Sequence, residues 1–221
     1  MTTSPNDSHE RLIRELAGDL TPVRRLPPPA LRALGWLAVV AAMAVVLALF
    51  ADLPSIGRRI AAAPDMWLAV VGSAATAILA GLAAFQLSMP DASRGWSLLP
   101  LPAILLWLGA SGAGCLRIWF VPDAHVAELS EERDCLLFII GLSVPLSALL
   151  ISMLRRAYSL QPGLTAAMAG LAAAAAAATL LNFFHPFDAA ATDLSVHAAA
   201  VALVVMANRA FGGRLLAKNY R

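Results

Sequence analysis

Few side chains in this sequence could do chemistry, and most of those fall near the ends of long apolar runs. Cys115 and Cys135 flank a polar connection (116–134), His185 follows the fifth run, and His197 lies about one turn into the sixth. Thiols in an oxidising compartment can form a disulfide, and thiolates, with His125 or His185, can take a soft metal. Both cysteines can equally be small buried hydrophobes, and a histidine at a membrane interface can be a hydrogen-bonded anchor. Two cysteines make no disulfide framework, and no CxxC or His/Cys spacing marks a zinc site. Nothing has the pattern of a nucleophile–base pair, a phosphate loop or two carboxylates in a cleft. The sequence predicts no catalytic residue, no metal site and no cofactor, and leaves Cys135, Cys115 and His185 as candidates for sensing.

The elements that position these residues are the apolar runs themselves. Hydrophobic residues make up 60% of the chain and charged ones 14%, with a mean hydropathy of +0.74. Soluble domains carry nearer a quarter of charged residues. The first run, Trp36–Phe50 flanked by Leu34 and Leu53, holds no charge before Asp52. About 20 apolar residues rising 1.5 Å each match the ~30 Å hydrocarbon core of a bilayer. Lipid offers no partners to backbone N–H and C=O groups, so such a run must be a helix. Five more follow at about 66–89, 97–119, 135–154, 163–184 and 191–211. The polar stretch 54–65 reads as a loop with one turn of interfacial helix, 89–95 as a tight turn, and 155–162 as a short loop. The run Ala172–Ala178 suits close helix contact better than lipid exposure. Trp36, Trp67, Trp96, Trp107 and Trp119 read mostly as interfacial anchors.

Basic residues set the orientation. With both termini in the cytoplasm, all of the 16 Lys and Arg fall inside except Arg58, Arg59, Arg117 and Arg133. No basic-then-apolar leader with a small-residue cleavage site opens the chain, so the N-terminal segment is expected in the compartment of synthesis. Asp52, Arg117, Asp193 and Arg209 lie at run ends, where snorkelling suffices. The middles of the runs are nearly free of charge, which counts against ion transport. The expected fold class is all-α: a polytopic membrane protein with six transmembrane helices and a short cytoplasmic N-terminal amphipathic helix. Its divisions are a docking segment with a Pro-rich linker (1–33), a transmembrane domain (34–211) and a basic cytoplasmic tail (212–221).

Residues 1–7 read as disordered. From Ser8 onward, Leu12, Ile13, Leu16, Ala17 and Leu20 form an apolar stripe on a short helix. Asp7 or Ser8 is a candidate cap and Glu10 lies in the first turn. Pro22 ends the helix, and Val23-Arg24-Arg25-Leu26 with Pro27-Pro28-Pro29 makes a semi-rigid extended linker. The stripe fits either lipid headgroups or the groove of a cytoplasmic partner. Burying four such side chains would yield about 6–10 kcal/mol gross. Ordering the segment offsets much of that, so binding is expected to be moderate and switchable.

Several elements carry a resemblance. Leu12-Ile13, Leu16-Ala17, Asp19-Leu20 and Pro22-Val23-Arg24-Arg25-Leu26 lead through prolines into the six runs. Asp134-Cys135-Leu136, Leu142-Ser143 with Pro145, Leu154-Arg155-Arg156-Ala157 and Pro162-Gly163 follow. The chain resembles the NrsF-like family of bacterial inner-membrane proteins, negative regulators of ECF-type sigma factors. The resemblance implies that the N-terminal segment sequesters an ECF-type sigma factor through Leu12, Ile13, Leu16, Leu20, Val23, Arg24, Arg25 and Leu26. It also implies release on a membrane or periplasmic metal or oxidant signal. The partners expected are that sigma factor and the lipid bilayer, with no direct nucleic acid. Cys135 matches the family's cysteine before the fourth helix. The family's second cysteine follows the histidine after helix five, whereas Pro186 follows His185 here. The competing expectation is a small membrane transporter or metal-handling protein built on His185, His197 and Cys135.

Overall fold

The structure is a computed structural model that describes residues 5–18, 26–62, 64–120, 129–184 and 191–217. The described residues are helical apart from short connections, with no strand among them. An isolated amphipathic helix, α1 (Pro5–Gly18), precedes α2 (Pro29–Ala48), α3 (Leu53–Ala62), α4 (Pro64–Leu87), α5 (Leu101–Phe120), α6 (Leu129–Leu154), α7 (Pro162–Leu181), α8 (Ala191–Ala207) and α9 (Gly213–Ala217). Among the described residues six helical segments are long and apolar enough to cross a membrane: Pro29–Ala48, Met66–Leu87, Arg94–Ala113, Cys135–Leu154, Pro162–Leu181 and His197–Ala217. The last runs from α8 through a π-helical turn (Asn208–Gly212) into α9.

Helix boundaries depart from the sequence reading where proline is involved. Residue 5 opens α1, so Asp7 and Ser8 lie inside the helix and neither is its cap. Proline suits the first turn because its missing N–H has no helical acceptor there, and its fixed φ is already helical. The same reason lets α2 start at Pro29, ahead of Leu34, directly after Pro28 in an extended conformation (φ −51°, ψ 145°). The stretch read as a loop with one helical turn is the ten-residue α3. The Asp52 carboxylate accepts from the Ser55 N–H (3.3 Å), and the Ser55 hydroxyl donates to the Asp52 carbonyl (2.9 Å), closing its N-terminus. The helix at the C-terminus continues into the expected tail as far as Ala217.

α7 is the central helix. Ala172–Ala178 are all buried, and α7 packs on α4, α6, α8 and α9. Alanine lets backbones approach closely, which is how helices associate without a hydrophobic gain over lipid. Glycines mark the tightest approaches. A Cβ at Gly72 of α4 would fall 2.7 Å from the Trp107 backbone of α5. One at Gly213 would fall 3.2 Å from the Gly163 Cα, where α7 begins.

Two tryptophans read as interfacial anchors lie elsewhere. Trp36 is 0% exposed, set against Gly81, with its indole N–H donating to the Leu146 carbonyl (3.3 Å). Trp107 is half-buried along the middle of α5 against Gly72. In both cases the helix face, which a linear sequence does not reveal, decides the environment.

Candidate functional site

Two ends of the bundle need names. The near end is where α2, α5 and α7 begin and α4, α6 and α9 finish; the far end is opposite. The candidate residues divide between α1, the near end and the far end.

On α1, Leu12, Ile13 and Leu16 are 53%, 64% and 63% exposed, so the described part of the apolar stripe is open. Its polar side carries two i,i+4 pairs, Arg11–Glu15 (3.9 Å) and Glu10–Arg14 (3.8 Å). Such exposed pairs contribute little. Leu26 is also exposed, while Leu20, Val23, Arg24 and Arg25 lie outside the described residues. A helix of 14 residues is marginal in water on propensity alone. The stripe therefore gains its stabilisation only when something covers it.

The near end contains a buried polar network that sequence reasoning missed. Arg32, one turn into α2, is only 7% exposed. One guanidinium nitrogen donates to the Met153 carbonyl on α6 (2.6 Å) and another to the Ser88 hydroxyl after α4 (3.3 Å). The group also lies 4.9 Å from the centre of the Phe85 ring. Charge-assisted bonds and the ring face offset the cost of taking the cation out of water. Ser88 in turn donates to the Phe85 carbonyl (2.6 Å). Ser159 donates to the Leu87 carbonyl (2.9 Å), sits 2.7 Å from the Thr165 hydroxyl and accepts from the Gln161 N–H (3.2 Å). The network thus joins α2, α4, α6, the 155–161 connection and α7. Arginine at the start of an apolar run reads as a topology signal, and only the position of α4 and α6 turns it into a buried clamp.

At the far end Cys135 is buried on α6 with Ile139, against Ala177 and Leu181 of α7 and Ala200 of α8. Phe138 and Phe184 stack at a tilt nearby, ring centres 5.9 Å apart. Cys115 belongs to α5, but its side chain and the whole of His185 lie outside the described residues. His197 is half-buried near the start of α8. Among the described residues no three His, Cys, Asp or Glu side chains gather as metal ligands.

An all-helical bundle with six segments able to cross a bilayer, preceded by a helix with an uncovered apolar face, defines the class: a polytopic helical membrane protein carrying a short amphipathic appendage. The family model described as NrsF, negative regulator of sigma F, matches residues 16–217, and the chain belongs to that family. No curated protein and no solved structure matches it. The family name points to negative regulation of a sigma factor. The match takes in Leu16, the proline linker and the Arg32 network, and begins after Leu12 and Ile13.

Proposed function

We propose that this protein is a membrane-embedded anti-sigma factor that sequesters an ECF-type sigma factor on its N-terminal segment. In this reading the bundle sits in the bacterial inner membrane with both termini in the cytoplasm. Leu12, Ile13, Leu16 and Leu20 enter an apolar groove of the sigma factor, and Val23, Arg24, Arg25 and Leu26 extend the contact. Release follows a metal or redox signal at the periplasmic side, with Cys135 as the candidate sensor and Cys115 and His185 as possible companions. The observation that carries the proposal is the exposed stripe of α1 in a chain whose family is named for negative regulation of a sigma factor.

The test uses the full-length protein in native membranes. Co-purification of sigma factor is compared between the unmodified protein and one carrying Leu12→Asp and Leu16→Asp. Placing two carboxylates in an apolar groove should lower retention by about tenfold or more, because each would be desolvated without a partner. Membrane insertion should not change, since α1 supplies none of the six spans. Equal retention of a sigma factor by both proteins would exclude α1 as the docking element.

A further inference from the structure

Of α2, only Arg32, Ala33 and Trp36 are buried. Farther along, Leu37, Val40 and Met43 are half-buried against the core, so the fully buried part of α2 is one short stretch at its near end. Two of its three buried side chains make polar contacts to other helices. Trp36 donates to the Leu146 carbonyl in the middle of α6, while Arg32 bridges the ends of α4 and α6 through Ser88 and the Met153 carbonyl. The Arg32 backbone N–H closes the first turn of α2 on the Pro28 carbonyl (3.2 Å). Directly ahead stands the Pro27-Pro28-Pro29 run, whose stiffness carries a direction set at Arg32 outward along the chain.

A buried arginine is a poor choice for stability alone, because a well-packed apolar residue of similar volume usually serves as well. What the guanidinium adds is directionality. It has a planar fork of donors, and here its two acceptors lie at the ends of different helices, so both bonds survive only while those ends stay together. We propose that Arg32 is the positioning residue that fixes how the N-terminal segment leaves the bundle, and that separation of the α4 and α6 ends frees it. The inference rests on the anti-sigma reading for its consequence, since a freed linker would present the docking helix differently. The geometric claim stands without it.

The test places nitroxide labels at positions 26 and 160, both exposed, in the full chain in lipid nanodiscs with Cys115→Ala and Cys135→Ala. A second pair at 98 and 160 reports on the bundle itself. Arg32→Gln should widen the 26–160 distance distribution by about twofold, Ser88→Ala should widen it less, and Arg32→Lys should restore part of the order. The 98–160 pair should stay unchanged. Should Arg32→Gln fail to fold, Ser88→Ala decides, because it removes one bond and little volume. An unchanged 26–160 width in the folded variants overturns the proposal. In cells, Arg32→Gln should relieve repression of a sigma-dependent reporter several-fold at equal protein level; full repression alongside a widened distribution would overturn the link between Arg32 and docking. If the unmodified protein retains no sigma factor, the docking reading falls, and the label distances alone decide the role of Arg32.

Discussion

Ser143 lies on the same face of α6 as Cys135 and Ile139, 0% exposed, with no hydrogen-bond partner for its hydroxyl. Ser88, Ser159 and Thr165 are buried too, yet each is bonded to a carbonyl or a neighbouring hydroxyl. A buried hydroxyl without a partner carries its desolvation cost uncompensated. Ser143→Ala should therefore leave stability unchanged or raise it by about 1 kcal/mol. A thermal scan in detergent reads this as an equal or higher midpoint, and a clear fall would mean that the hydroxyl has a partner in the membrane. Serine and alanine are both acceptable in an apolar run, so nothing in the sequence separates the orphaned hydroxyl from the bonded ones. The same limit applied to Arg32, whose type was visible but whose burial depends on Ser88, Phe85 and Met153, distant along the chain.

Helices reveal their existence in the sequence and conceal their faces. The α4–α5 crossing shows why. Gly72, Gly109 and Gly112 look alike in sequence, yet only a Cβ at Gly72 meets backbone, while nothing lies within 4 Å of the other two. Gly72→Ala should push α5 away and destabilise the protein by about 1–3 kcal/mol, because a backbone cannot move aside as a flexible side chain can. Gly109→Ala, in open space, should be neutral or slightly stabilising. The comparison is made by the temperature at which half of each variant remains soluble in detergent. Similar midpoints for the two would mean that α4 and α5 do not cross at Gly72. The alanine run of α7 was the exception to concealment, because a helix small on every side is suited to neighbours on every side. The π-helical turn at Asn208–Gly212 left no trace in composition. It is held by Asn208, which donates to the Ser147 hydroxyl (3.1 Å) and the Val204 carbonyl (2.9 Å).

For the whole molecule the decisive property is orientation. Among the described residues, Arg32, Arg94, Arg155, Arg156, Arg209 and Arg214 belong to the near side, which the proposed function places in the cytoplasm. Alkaline phosphatase fused after Asp91, in the turn following α4, should be inactive, whereas fusion after Gly57 in α3 should give an active enzyme. The reverse pattern would put α1 outside the cell and remove the anti-sigma reading with it. The two ends also differ in what they hold: the Arg32 network lies at one and Cys135 at the other. Under the proposed function, α6 is a continuous element between the two ends, with Cys135 near its start and Met153 near its finish.

The sequence by itself determined that the chain forms six apolar helices with an amphipathic helix ahead of them. Both properties are local: the first follows from lipid's inability to hydrogen-bond backbone and the second from a 3.6-residue period. It also carried the elements of the family that the match over 16–217 shows. Only the tertiary structure decided which side chains are buried. Trp36 moved from anchor to core, Arg32 from topology signal to clamp, and Gly72 from one glycine among many to a helix contact. Each change depends on which helices are neighbours, and neighbours are chosen by the fit of whole faces, a property no single segment contains.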